Sequence, residues 1–379
     1  MLRAVAVAAT TVTAAVIVRR CLERRLASVA RRVPLRAHFC KDLDEELLRV
    51  LRTTATDAVH VTAGDADCPP EAEIIILPGA GTAERLYEAA AASPKLRALV
   101  MAYAGILPAQ LKKVRDAFGT RLGSAVTLHN LHHNAPMTAE MGVALLLATA
   151  KRLIPADRRL RSGDWRPRGL PFPGEEVEPP MPMLLLEGRT ALVLGLGHLG
   201  GRVARVLQAL GMNVLGTRRS AGSMTVVDGI EVHSAGELSA LLPRADVLMI
   251  CLPSTDETRA LLGAHELGLL PDRAILVNVG RGDVVDESAL HEALLSGRLF
   301  GAGIDVWYQY PSSYAAAACT PPSERPFGEL ESVVLSPHRG GGIGIRDTEL
   351  LRMRHLGVML AQAADGRPLP NEWNLARGY

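Results

Sequence analysis

From Leu35 onward, short apolar runs alternate with stretches whose apolar residues recur at helical spacing. Glu73 to Leu77 and Leu96 to Tyr103 read as strands, and Ala83 to Ala92 and Pro108 to Phe118 read as helices. This alternation predicts parallel βα units. Met137 to Leu153 has apolar residues at Met141, Val143, Leu145 to Leu147 and Leu153, which predicts a long amphipathic bridging helix. A polar, Pro-rich connection from Arg158 to Pro182 follows it. Strand-like runs return at Asp246 to Leu252, Ala274 to Val279, Gly301 to Val306 and Val333 to Leu335, separated by helices such as Glu287 to Leu295. Pro311 to Pro326 reads as a surface loop, and no internal repeat is present. Right-handed crossovers between such units build doubly wound parallel sheets, so the expected fold class is α/β.

Between the two blocks, Thr190-Ala-Leu-Val-Leu-Gly195-Leu-Gly197-His-Leu-Gly200 runs from a strand into a helix with Val203, Val206, Leu207 and Leu210 at helical spacing. Gly195 allows a tight turn, Gly197 lets backbone approach a pyrophosphate, and Gly200 lets helix and strand pack closely. The helix start presents unpaired N–H groups to the anion. Gly195, Gly197, His198, Leu199 and Gly200 are therefore expected to hold a dinucleotide. The next strand ends in Arg218-Arg219-Ser220, where an NAD site usually carries an acid; the next acid is Asp228. Guanidinium groups pair bidentately with phosphate, so the residues favour NADP over NAD.

Composition narrows the picture. A chain of 379 residues with 48% hydrophobic and 22% charged residues is long enough for two cores. The net charge of +2 comes largely from the first 36 residues, which hold eight Arg and one acid, Glu23. The remainder is mildly acidic, which argues against nucleic acid. Cys21, Cys40, Cys68, Cys251 and Cys319 are scattered and suggest neither a disulfide framework nor a metal site. His129, His132 and His133 lack a partner ligand at metal spacing, so no metal is expected. Residues 1–33 read as a targeting or membrane-associated leader. Ala4 to Val18 is apolar but too short for a bilayer, and the Arg-rich remainder looks like an organellar transit peptide. A mitochondrial or chloroplast address is expected if the leader acts so, and a cytoplasmic one otherwise. Membrane contact is expected only if the leader is retained.

Three further segments complete a pattern: Asn278-Val-Gly-Arg281-Gly282-Asp, Gly301-Ala-Gly-Ile-Asp305-Val-Trp-Tyr-Gln-Tyr310-Pro311, and Ser336-Pro-His338-Arg-Gly-Gly. With the glycine turn, Thr138-Ala-Glu140, Ser162-Gly-Asp-Trp165 and Leu252-Pro253, their order resembles the D-2-hydroxyacid dehydrogenase family from about Leu96 to Tyr379. The resemblance implies two Rossmann-like or flavodoxin-like βα domains with a cleft between them: a substrate domain of residues 34–134 plus 339–379 and an NAD(P)-binding domain of 135–338. It implies a homodimer and a small 2-keto or 2-hydroxy acid as substrate. Arg281 would clamp the substrate, and His338 would be the general acid in reduction and base in oxidation. Asp305 would bind the nicotinamide carboxamide, with Pro253 and Val279 lining the dinucleotide. Gly105 and Ile106, in the loop from Tyr103, would receive the substrate carboxylate, and Asn134 would stand at the same mouth.

Reducing a 2-keto acid needs a cation for its carboxylate and a proton donor for the developing alkoxide, and Arg281 and His338 have that chemistry. One position departs from the family. The Glu that pairs with the catalytic imidazole is replaced by Tyr310. A phenol can orient the ring by a hydrogen bond but carries no negative charge near neutral pH, which implies a lowered His338 pKa and an acid-shifted activity profile. Tyr103, Trp307 and Tyr310 are expected to narrow the pocket toward small acids. The leading expectation is an NADP-dependent reductase of glyoxylate, hydroxypyruvate or a related acid. The alternatives are a dinucleotide-sensing, corepressor-like protein of low turnover, a formate-dehydrogenase-like enzyme and, more remotely, a methyltransferase.

Overall fold

A computed structural model describes residues 33–65, 68–79, 82–106, 108–169, 179–219, 222 and 224–375. The leader, apart from Val33, and Ser220 lie outside the described residues. The chain divides into two compact units, Met1–His133 with Gly344–Tyr379, and Asn134–Ile343.

The first unit is built on a parallel five-stranded sheet of order β2-β1-β3-β4-β5, comprising β1 (Leu35–Phe39), β2 (Val59–Ala63), β3 (Ile74–Leu77), β4 (Ala98–Met101) and β5 (Thr127–His129). Helices α1 (Glu45–Ala55), α2 (Glu84–Ala92), α3 (Pro108–Phe118) and the C-terminal Arg346–Ala364 accompany it. The order is the flavodoxin-like one. Because side chains alternate across a strand, Ile74 and Ile76 enter a core with Leu51, Met353 and Leu356. Ile75 and Leu77 enter the opposite core with Tyr87, Leu99 and Val114. A strand buried on both faces reads as a continuous apolar run, which is how β3 was legible. Helix α1 starts where Asp44 accepts the Leu47 N–H at 2.9 Å.

The second unit holds an eight-stranded sheet of order β13-β12-β11-β10-β6-β7-β9-β8. Its strands are β6 (Thr190–Leu194), β7 (Asn213–Arg218), β8 (Thr225–Val227), β9 (Ile230–Ser234), β10 (Val247–Ile250), β11 (Ala274–Asn278), β12 (Leu299–Ile304) and β13 (Val333–Leu335). All pairings are parallel except β8 with β9. Strand order reverses between β6 and β10, the place where ligands bind in open α/β sheets. Val247 and Met249 face one core, and Leu248 and Ile250 the other.

Two expectations are corrected. The helix expected over Met137 to Leu153 is α4 (Ala135–Ala150); Arg152 takes a left-handed conformation and α5 (Leu153–Arg161) restarts, occupying the start of the stretch expected to be loop. Nor is α4 amphipathic: Glu140 and Ala144 are its only exposed positions. It is covered nearly all round, as expected of a helix apolar on every side. The return to the first unit falls at Gly344 rather than 339. Asp305 accepts the Arg339 and Gly340 N–H groups and so ties this loop to the second unit. Among the described residues no helix is long and apolar enough to cross a membrane.

Candidate active site

Gly195 leaves β6 with φ of +92°, a conformation that favours glycine. Helix α6 (Gly200–Ala209) begins five residues on. A Cβ on Gly200 would lie 2.0 Å from the Gly195 carbonyl oxygen, whereas one on Gly197 would meet nothing within 4 Å. The turn is thus closed on its protein side and open at Gly197, at the positive end of the α6 dipole. These features fit a dinucleotide pyrophosphate. His198 and Leu199 complete the turn, and the Leu199 carbonyl accepts from Arg202 and Val203.

Arg218 ends β7 and donates to the Leu196 carbonyl at 3.1 Å. Arg219 forms an ion pair with Glu257 at 3.2 Å. Both stand beside the glycine turn, which Thr217 fixes by accepting the Leu196 N–H at 2.8 Å through its carbonyl. Pro253 follows β10, and its carbonyl accepts the Thr258 hydroxyl at 2.6 Å. Val279, at the end of β11, is buried against Gly142 of α4.

The reactive residues gather in the second unit, on loops that follow β11, β12 and β13. Asn278 shapes the first loop: its amide donates to the Arg281 carbonyl at 2.9 Å and its Oδ1 accepts the Gly280 N–H at 3.0 Å. Arg281 is extended there and donates to the Gly280 carbonyl at 2.7 Å. Burial pushes its pKa down, opposed by Tyr310 and Asp283, yet an arginine stays charged. Asp305, 1% exposed, accepts from the Ser336 hydroxyl at 2.5 Å, the Arg339 N–H at 3.0 Å and the Gly340 N–H at 2.9 Å. Its carboxylate therefore sets the course of the loop that carries His338. A carboxylate offers about four acceptor sites, so three bonds leave one for a ligand.

His338 has φ of +54°, uncommon for a residue with a side chain, and its N–H donates to the Ser336 carbonyl at 3.0 Å. Its Nδ1 lies 2.7 Å from the Tyr310 hydroxyl, which also accepts the Trp307 N–H at 3.0 Å. Desolvation by the surrounding protein lowers the His338 pKa, Arg281 lowers it further, and Asp305 opposes them. Desolvation raises the Tyr310 pKa, opposed by the Trp307 N–H and Arg281. Trp307 is 6% exposed, packs against Phe327 and donates Nε1–H to the Ser336 carbonyl at 2.8 Å. Asn278, Ser336 and the indole of Trp307 hold the reactive loops, roles the linear motifs did not mark.

In the first unit, the Tyr103–Ile106 loop follows β4. Asn130 donates to the Ala104 carbonyl at 2.6 Å, and the Leu131 N–H to the Tyr103 carbonyl at 3.0 Å. Arg352 lies 4.2 Å from the Tyr103 ring centre and donates to His133 Nε2 at 3.2 Å. Gly105 is half-buried and Ile106 buried. His129 is committed to the Pro370 carbonyl and Thr127 hydroxyl. Asn134 belongs to the second unit, where its carbonyl accepts from Thr138 at the start of α4.

A doubly wound sheet with a glycine turn at its switch point, an arginine after β11 and a histidine after β13, on either side of β12, defines a nicotinamide-dinucleotide oxidoreductase. Residues 143–340 match the D-isomer specific 2-hydroxyacid dehydrogenase, NAD binding domain. The chain belongs to that family and is an NAD(P)-dependent 2-hydroxyacid dehydrogenase or reductase. It is 36% identical over 260 residues to a glyoxylate reductase of Aeropyrum pernix, covering 66% of this chain and 70% of that one. It is 33% identical over 246 residues to a D-3-phosphoglycerate dehydrogenase of Archaeoglobus fulgidus, covering 64% of this chain and 41% of that one. Among solved structures it resembles a D-isomer specific 2-hydroxyacid dehydrogenase from Xanthobacter autotrophicus in complex with NADPH and MES. The TM-score is 0.67 at 25% identity, covering 92% of this chain and all of that one.

Proposed function

We propose that this protein is an NADPH-dependent reductase of a small 2-keto acid such as glyoxylate or hydroxypyruvate, forming the D-2-hydroxy acid. The observation that carries this reading is the placement of Arg281 and the Tyr310–His338 pair on strand-end loops of the unit that holds the glycine turn. NADPH, when bound, supplies the hydride. The α6 N-terminus receives its pyrophosphate, Arg218 and Arg219 receive the extra phosphate, and Pro253, Val279 and the remaining acceptor site of Asp305 meet the rest. The NADPH carried by the Xanthobacter relative supports the choice of cofactor.

Arg281 holds the substrate carboxylate and polarises the ketone, while His338 delivers the proton to the developing alkoxide. The enzyme acts as a homodimer, and its Arg-rich leader directs it to an organelle; light scattering and a fluorescent fusion test these two assignments.

The deciding experiment follows NADPH and NADH oxidation by the full chain with a panel of small 2-keto acids. Turnover with NADPH at least tenfold above NADH is expected. Tight NADPH binding without turnover of any acid would instead identify a dinucleotide sensor.

A further inference from the structure

We infer that Tyr310 is the second member of a proton relay, passing its hydroxyl proton to His338 Nδ1 as His338 Nε2 protonates the substrate oxygen. This inference rests on the reductase reading above.

The argument begins with the phenol oxygen. It accepts the Trp307 N–H at 3.0 Å and lies 2.7 Å from His338 Nδ1. A phenol is a better donor than acceptor, a neutral imidazole nitrogen is the better acceptor, and the phenol's acceptor capacity is already engaged. The hydroxyl proton therefore points to Nδ1, so the neutral ring carries its own proton on Nε2. A glutamate at this position would do the reverse, accepting a proton from Nδ1 and favouring the imidazolium. The carboxylate nearest in effect, Asp305, is engaged by Ser336, Arg339 and Gly340.

A neutral imidazole that gives up its Nε2 proton alone would become an imidazolate, too strong a base to leave behind. The phenol removes that obstacle. As C2 of the keto acid gains hydride, the ketone oxygen takes the Nε2 proton and Nδ1 takes the Oη proton. Tyr310 is left as phenolate and His338 as the neutral Nδ1–H tautomer. A proton from water then restores the pair. The charged groups that face the pair divide in their effect. Arg281 favours both the phenolate and the neutral ring, whereas Asp305 opposes both and Asp283 opposes the phenolate. The Trp307 N–H remains bonded to the phenolate oxygen throughout.

An orienting phenol and a relaying phenol differ in pH dependence. If Tyr310 only orients, reduction needs the imidazolium and falls tenfold per pH unit above the His338 pKa. If it relays, kcat persists through pH 8. The test measures kcat for glyoxylate reduction by the full-length wild type and Tyr310→Phe from pH 5 to pH 9. The relay predicts a loss of about 10²-fold for the Phe variant at pH 8 and near-equality at pH 5. A bowed proton inventory, with two protons in flight, is expected for the wild type alone. Nitrogen NMR of the wild type without cofactor gives a readout independent of turnover: Nδ1 should be pyridine-like and Nε2 should carry the proton. Parallel pH profiles for the two proteins, or a proton on Nδ1 of the neutral ring, would overturn the relay and leave the reductase reading intact. Failure of the wild type to reduce any acid would overturn both.

Discussion

Asp305 Oδ2 accepts the Gly340 N–H at 2.9 Å, and a Cβ on Gly340 would stand 2.5 Å from that same oxygen. The loop bearing His338 is thus drawn onto a buried carboxylate too closely for any larger residue. Asp305→Ala should strand the Ser336 hydroxyl and two backbone N–H groups, costing about 3 kcal/mol by urea denaturation. It should lower kcat by more than tenfold through the displaced His338. A variant of wild-type stability would show that the loop holds its course without the carboxylate.

Stability should fall on acidification before the carboxylates titrate. Burial first, then Arg352, His355 and His132, hold the His133 pKa near about 3, against an ordinary 6.5. Burial also lowers His38 and His129. Below pH 6.5 the unfolded chain takes up protons that the folded chain refuses. The contribution is thus complete above that pH and is lost as pH falls, at about 1.4 kcal/mol per unit for His133, with His38 and His129 acting in the same direction. Urea midpoints measured between pH 6.5 and 5.0 should decline, and His133→Gln should make that decline shallower by one proton.

The proposed preference for NADPH is tested at the end of β7. Arg219 is shared with Glu257, an exposed ion pair worth roughly 0–1 kcal/mol. Glu257→Gln should therefore tighten NADPH by no more than a few fold and leave NADH unchanged. Replacing Arg218 and Arg219 together by alanine should weaken NADPH by at least tenfold relative to NADH in fluorescence titrations. Equal losses for both cofactors would place the arginines elsewhere than at the phosphate.

The described cysteines should differ in reactivity. Cys319 is exposed, burial pushes the Cys251 thiol up to about 12, and Cys40 is raised first by its contact with Cys68 at 3.4 Å. The thiolate is the nucleophile, so at pH 8 iodoacetamide should label Cys319 at least about tenfold faster than Cys251 or Cys40. Peptide mass spectrometry at timed intervals checks the order.

Much of this architecture is local and could be read along the chain. Val247 to Ile250 and Ala274 to Val277 are apolar at every position because both faces of their sheet are covered, and the unbroken apolar run shows it. The turn at Gly195 likewise depends on torsions that glycine adopts without help. The apolar pattern does not mark the hairpin β8–β9, although Asp228-Gly229, both at positive φ, is the turn that joins such strands. Nor does it mark the first strand, Leu35–Phe39, or its neighbour Val59–Ala63, whose apolar residues are interrupted by Arg36, His38, His60 and Thr62.

Other relationships exist only once the sheet has formed. The sequence by itself shows a tyrosine where a carboxylate is customary. Only the tertiary structure decides that the Tyr310 hydroxyl, held by the Trp307 N–H, meets an imidazole 28 residues away. The same holds for the burial of Trp307 against Phe327 and for the three donors that converge on Asp305. Periodicity reports which face of an element is apolar, because that is a property of neighbouring residues. Which polar atoms converge depends on where separate strands end in space, and that is settled by packing across the whole sheet.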